Sequence, residues 1–224
     1  MQKQFLLILF VFLTFCVNNI YSQSFDDTGF NISASKSNVL YRGLENPVDI
    51  FVAGYNKETI IVSFSNDEVT IKPEQSGYLV TVPTTVTEQK LTISISVKTS
   101  AGNQTIGSKV FNVSNVPPPT IMIAGTYQDG ATMPKAAVLN NAYLTATSTG
   151  DFPLKVKYLV NKFDFIYRSG DNVTNITVLG NQITDNILSI IREMKQDDVL
   201  SFSNIFYDGP SGTKQTNGIS VILK

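Results

Sequence analysis

What this sequence offers for chemistry is carboxylates and hydroxyls. Its 224 residues include no histidine and one cysteine, Cys16. That removes the usual general base near neutral pH, and with it any serine–histidine–aspartate arrangement. The commonest zinc ligands are missing for the same reason. Asp67-Glu68, Asp197-Asp198 and Asp164 are the acids that could be assigned to glycoside hydrolysis. Such a reaction needs two carboxyls facing each other across a cleft. Neighbours on a strand point to opposite faces, and the two pairs sit among turn formers, so they read as solvated turns. A calcium site at Asp171-Asn172 or Asp208 would need several oxygen ligands, and no dense Asp/Asn repeat supplies them. Sugar platforms rely on exposed aromatics, tryptophan above all, and there is none. Tyr55, Tyr78, Tyr127 and Tyr207 read instead as core or rim packing. The expectation is a protein that is not an enzyme, with no catalytic, cofactor or metal residues, and with its binding residues unassigned.

The first residues, MQKQFLLILFVFLTFCVNNIYSQ, carry Lys3 ahead of an apolar run from Phe5 to Val17. That run is shorter than the about 20 residues needed to span a bilayer. With polar Asn18-Asn19 and small Ser22 behind it, the pattern predicts a cleaved secretory signal over residues 1–23. An uncleaved anchor is the alternative. Phe15 stands before Cys16 where a lipoprotein signal would want a small residue. Cleavage would remove the sole cysteine, so the exported fold must stand on buried apolar area rather than disulfides. Net charge is −1 with Lys and Arg scattered, so no basic face for nucleic acid is expected.

The elements follow a period of two. Expected strands are Phe30–Ser33, Asn38–Tyr41, Val48–Ala53, Thr59–Phe64, Val69–Lys72, Gly77–Val82, Lys90–Lys98 and Gly107–Val113. Leu91, Ile93, Ile95 and Val97 alternate with Thr92, Ser94, Ser96 and Lys98, the mark of a half-buried antiparallel sheet. Glu45-Asn46-Pro47 reads as a fixed bend, because proline sets its own φ and drives its predecessor out of helical geometry. Further turns are expected at Ser65-Asn66-Asp67, Gln75-Ser76-Gly77 and Ala101-Gly102-Asn103. Together these predict an immunoglobulin-like β-sandwich over 24–116. Pro117-Pro118-Pro119 predicts a stiff linker, and a second module covers 120–224. Its expected strands are Ala142–Thr147, Lys155–Arg168, Val173–Leu179, Val199–Phe206 and Ile219–Leu223, with an irregularity near Asn161-Lys162. A helix over 185–195 is capped by Thr184 or Asp185 and shows Ile187, Ile190, Ile191 and Met194 on one face. Pro134 opens a single helical turn, and Asp208–Gly212 forms a tight turn. The fold class is mainly β: two β-sandwich modules, the second carrying one helix.

The stretch NVLYRGLENPVDI, Asn38 to Ile50, resembles the start of the penultimate domain of the GldM family, gliding-motility and type IX secretion proteins of Bacteroidetes. VPPPTIMIAG is similar to the proline linker before that family's last domain, with Pro118 where an aspartate is usual. LVNKFDFIYR, Leu159 to Arg168, resembles its Asn-Phe-Asp-Phe segment with Lys162 inserted. Ile187 to Lys214 resembles its closing stretch, with Gln196-Asp197-Asp198 in place of a glycine turn. In a bacterial β protein of this kind, the Asn-x-Ser/Thr sites at Asn31, Asn103, Asn112, Asn172 and Asn175 are expected by chance. The resemblance implies a periplasmic, non-catalytic protein-binding module related to the distal end of the GldM motor, with cell-surface or secreted placement as alternatives. Implied partners are ring components of the type IX secretion and gliding machinery, or a second copy as a homodimer; no nucleic acid or small-molecule substrate is expected. With a signal directly before these two domains, no inner-membrane shaft contacts are expected either. Asp208–Gly212 and Ser65–Asp67 are the loop tips expected to meet a partner. An exported adhesin or glycan-binding module is the alternative, and a carboxylate-dependent hydrolase is the remaining reading.

Overall fold

The computed structural model describes residues 29–169 and 172–224; the expected signal segment and Asp171 lie outside them. The first half contains β1 (Phe30–Ala34), β2 (Val39–Tyr41), β3 (Glu45–Val52), β4 (Ile60–Phe64), β5 (Thr70–Glu74), β6 (Gly77–Thr81), β7 (Lys90–Thr99) and β8 (Gly102–Ser114). These form one sheet of order β1-β3-β6-β5 and another of order β2-β8-β7-β4. This is the strand order of an immunoglobulin-type sandwich, with the short β2 running parallel to β8. Leu91, Ile93, Ile95 and Val97 are buried as their alternation requires, packed with Ile32, Leu40, Val48, Val80 and Phe111 in one core.

One expectation fails in an informative way. Glu45, Asn46 and Pro47 are not a bend but the first residues of β3, paired with Thr81, Val80 and Leu79. The turn lies earlier, at Gly43, whose φ is +75°. Pro47 accepts a hydrogen bond from the Ser35 amide on the β1 side. Amide and carbonyl of one residue share a side of an extended strand, so the donor proline lacks falls past the end of β1, where no ladder bond is lost. The β7–β8 hairpin also closes sooner than expected. Thr99 pairs with Gly102, so Gly102 and Asn103 open β8 rather than complete a turn.

The second half contains β9 (Thr120–Ile123), β10 (Thr132–Met133), α1 (Lys135–Asn140), β11 (Leu144–Thr147), β12 (Leu159–Ser169), β13 (Asn172–Leu179), α2 (Asp185–Glu193), β14 (Val199–Gly209), β15 (Gly212–Thr216) and β16 (Ile219–Leu223). A six-stranded sheet of order β10-β16-β14-β12-β13, with β15 also on β14, stands beside a β9–β11 ribbon. Phe163, Phe165 and Phe202 of the sheet pack with Ile123, Leu144, Val138, Ile187 and Ile191 of the ribbon and helices. The Phe163 and Phe202 rings meet edge to face at 5.4 Å. β9, β10 and β15 escaped the periodicity reading. The first is a four-residue strand directly after the prolines, the second has only two residues, and the third is largely exposed.

Helix α2 stops at Glu193 rather than Lys195, and Met194 is extended. Lys135 Nζ donates to the Arg192 and Met194 carbonyls at 2.9 and 2.6 Å, satisfying groups at the end of the helix. Leu188 joins Ile187 and Ile191 in the core, while Ile190 is only half buried. Pro134 occupies the N-cap of α1, one residue before the helix.

The irregularity expected near Asn161-Lys162 falls there. Val160 pairs with Tyr207 but Lys162 with Phe206, so β12 carries an extra residue. Asp164 then pairs with Ser203, so β14 carries a compensating extra residue, and Asn204 there has φ +46°. Two bulges that cancel keep Phe163 and Phe165 on the core face; a single uncancelled slip would turn one side of the pairing outward.

Candidate functional site

The residues that set the first half against the second gather at the Tyr41–Gly43 turn. Asn46 is 2% exposed and takes the place of a strand in tying this turn down. Its Oδ1 accepts from the Tyr41 amide at 2.7 Å. Its Nδ2 donates to the carbonyls of Tyr41, Leu44 and Val80 at 3.0, 3.0 and 3.1 Å. A buried amide is tolerated only when its donors and acceptor are met, and here they are.

Arg42 is buried as well, and it is held by oxygen acceptors of the backbone. Nε donates to the Val86 carbonyl at 2.6 Å, and Nη2 donates to those of Thr87 and Glu88 at 3.2 and 2.6 Å. Nη1 reaches Asn115 Oδ1 at 3.3 Å, immediately before the proline segment. The fixed guanidinium fork thus clamps the loop after β6 to the exit of β8.

Across the joint, the Tyr41 ring meets Phe152 edge to face at 4.7 Å. The Gly43 turn abuts the β14–β15 hairpin so closely that a Cβ there would sit 2.7 Å from the Pro210 carbonyl oxygen. The prolines themselves cannot donate, but their carbonyls are used. Tyr158 Oη donates to Pro117 at 2.7 Å, and Thr149 Oγ1 donates to Pro118 at 2.6 Å. Tyr158 packs edge to face on Tyr207 at 5.7 Å. Burial raises the pKa of both phenols, and for Tyr158 the neighbouring Tyr207 adds to it, so the Pro117 bond keeps its proton. Residues 117–119 are therefore strapped to the second half rather than free to swing.

The acids singled out by sequence do not come together. Glu68 accepts from the Thr85 hydroxyl, and Asp198 caps the Lys195 amide at 2.7 Å. Asp164, 6% exposed, accepts from Asn204 and Thr177 at 2.7 Å each. Those bonds, that of Asn204 foremost, hold its pKa below the usual carboxylate value. Asp208 accepts from Thr213 and from Asn161, whose bond is 2.8 Å, and is shifted down by the same cause. Each carboxylate ties strands together: Asp164 spans β12, β13 and β14, and Asp208 links β12 to β15. Among the described residues, no three His, Cys, Asp or Glu side chains converge on a metal position.

Of the four tyrosines, Tyr78 and Tyr207 are buried, Tyr127 packs on the core of the second half, and Tyr55 alone is exposed. The tip Pro210-Ser211 lies at the joint beside Val116, Pro117 and Lys214, while in the Ser65–Asp67 turn Asn66 donates to Glu88 Oε1 at 3.0 Å. Sequence reasoning missed Tyr41, Asn115, Thr149, Phe152 and Tyr158 as joint residues. Their partners are distant in the chain, and no period or motif flags them.

The arrangement defines a class: consecutive β-sandwich-type units with a strapped proline segment between them. Within that class, the sequence profile of the GldM third domain matches residues 29–114, and that of the GldM C-terminal domain matches residues 117–224. This chain belongs to the GldM family, membrane-associated periplasmic components of a multiprotein gliding-motility and type IX secretion machinery. No curated protein sequence matches it. A solved structure, the chimeric titin Z1Z2 functionalized with a KLER exogenous peptide from decorin, is similar over 87% of this chain and 96% of its own. The identity is 13% and the TM-score 0.28.

Proposed function

We propose that this protein is a non-catalytic, exported protein-binding unit of the gliding and type IX secretion machinery, working in the periplasm. Residues 24–116 and 120–224 act as two modules set at a fixed angle by residues 117–119. The observation that carries this reading is the joint itself. Within the stretch that resembles the family, Arg42 and Asn46 fix the turn inside the first module, while Tyr41 meets Phe152 and Gly43 abuts the Pro210 hairpin of the second. A binding surface spread over two modules keeps its shape only if their relation is fixed, and rigid presentation reduces the entropy lost on docking. Asp164 and Asp208 are engaged in hydrogen bonds between strands, which supports a scaffold reading over a hydrolytic one for these two acids.

The test is cross-linking followed by affinity purification of the tagged chain from the periplasmic fraction of its own cells. Enrichment of secretion-ring or gliding components is expected. Recovery of the chain without them, together with binding on a glycan array, overturns the reading in favour of an adhesin.

A further inference from the structure

Asparagine followed by glycine is the pair through which a main chain most readily attacks its own side chain, and this sequence holds it once, at Asn217-Gly218. Such a pair commonly turns a hairpin. Here it does not. Strands β15 and β16 lie one after the other along the same edge of β14, with Thr216 opposite Ile205 and Ile219 opposite Phe202. Asn217 and Gly218 are the break between them, facing Ser203-Asn204, where β14 carries its extra residue. Both are exposed, and among the described residues the Gly218 amide donates to no backbone acceptor. A Cβ at Gly218 would sit 2.7 Å from the Phe202 carbonyl oxygen, so the packing of the break requires glycine there. Asp129-Gly130 and Asp208-Gly209 could close the same kind of ring, and the fold restrains both. Asp129 Oδ1 accepts from the Ser220 amide at 2.8 Å, and the Gly130 amide donates to the Ser220 carbonyl at 2.8 Å. Asp208 is held by Asn161 and Thr213, and Gly209 lies within β14 opposite Gly212.

We propose that Asn217 is a modification site at which the folded protein, with water as the only co-reactant, turns an amide into a carboxylate. The deprotonated Gly218 nitrogen attacks Cγ of Asn217. A nitrogen–Cγ bond forms, the bond from Cγ to the side-chain nitrogen breaks, and that nitrogen leaves as ammonia, giving a cyclic imide. Water then opens the ring. Breaking the new nitrogen–Cγ bond leaves an aspartate at position 217. Breaking the bond from the Gly218 nitrogen to the main-chain carbonyl carbon leaves an isoaspartate, whose chain runs on through Cβ and Cγ. In total one water is consumed and one ammonia released, and nothing is oxidised or reduced. Either product adds a negative charge beside Asn204, the donor to Asp164. The isoaspartate also lengthens the main chain just ahead of Ile219, Val221 and Leu223, which are core residues.

The purified exported protein is aged at neutral and at alkaline pH, both folded and in urea, and digested with trypsin at intervals. No partner is involved, so failure here is separable from failure of the proposed function. The peptide Gln215–Lys224 is expected to gain the mass difference between an amide and a carboxylate and to be methylated by isoaspartyl methyltransferase, faster as pH rises. Its rate in the folded chain should lie within about tenfold of that in urea. The peptides carrying Asp129 and Asp208 should become substrates for the methyltransferase in urea alone. Asn217→Gln changes an exposed side chain and would have to close a larger ring, so conversion at that position should slow at least about tenfold. A folded rate below the tenfold limit, labelling of the Asp129 or Asp208 peptide as fast as Gln215–Lys224 in the folded chain, or unchanged kinetics in Asn217→Gln overturns the proposal.

Discussion

Replacing Gly43 by alanine separates backbone strain from the contact across the joint. Gly43 has φ +75°, and so does the control position Gly54, nearly, at +79°. An L-residue in that region costs about 1–2 kcal/mol, and both substitutions bear it. They differ in what the new methyl meets. At Gly54 nothing lies within 4 Å, whereas at Gly43 the Cβ would sit 2.7 Å from the Pro210 carbonyl oxygen and 3.1 Å from Thr84 Cγ2. The oxygen belongs to backbone in a two-residue hairpin loop, so relief requires the second half to move off the turn. Gly54→Ala is therefore expected to lower stability by about 1–2 kcal/mol with the two halves in place. Gly43→Ala should lose about 1–3 kcal/mol more, the range for overpacking, or else escape that loss by opening the joint. Urea denaturation followed by circular dichroism gives the stabilities. Spin-label distances between Lys98 and Lys155 positions, both exposed, report the joint. Equal stabilities with an unchanged distance distribution in Gly43→Ala would refute the reasoning.

Asn46→Ala strands the Tyr41 amide and the Val80 carbonyl in the core. At about 1–3 kcal/mol for each of the two unmet groups, the loss should be about 2–6 kcal/mol, a large share of the 5–15 of a typical domain. A drop in the denaturation free energy below about 1 kcal/mol contradicts the four-bond account. The Asp164 carboxyl has a depressed folded pKa, so its contribution to stability is full above the unfolded value of about 3.9 and is lost as pH falls through the folded one. Asp164→Asn should therefore destabilise at pH 7, with a penalty that shrinks as pH falls below about 4. A penalty constant between pH 7 and 3 in thermal melts counts against that charge-assisted network.

Sequence alone determined the parts of this protein governed by local geometry. Alternation fixes which face of a strand is apolar, so Leu91 to Val97 and Ile219 to Leu223 were readable directly. Of the stripe read on α2, Ile187 and Ile191 are buried in the helix, while Ile190 is half buried, Met194 lies past its end and Leu188 was missed. The disturbance at Asn161-Lys162 was readable too, because an inserted residue breaks the period. Tertiary structure decided the rest. Glu45-Asn46-Pro47 looks like a bend to any local rule, yet it is strand, since β1 ends before the missing proline donor matters and Asn46 supplies the bonds of the turn. Tyr41 meets Phe152, Arg42 meets carbonyls more than 40 residues away, and Asn204 restores a register disturbed at Asn161. Such pairings depend on which distant groups arrive at one place. A hydrogen bond is made by proximity and direction, and neither is written in the spacing of residues along the chain.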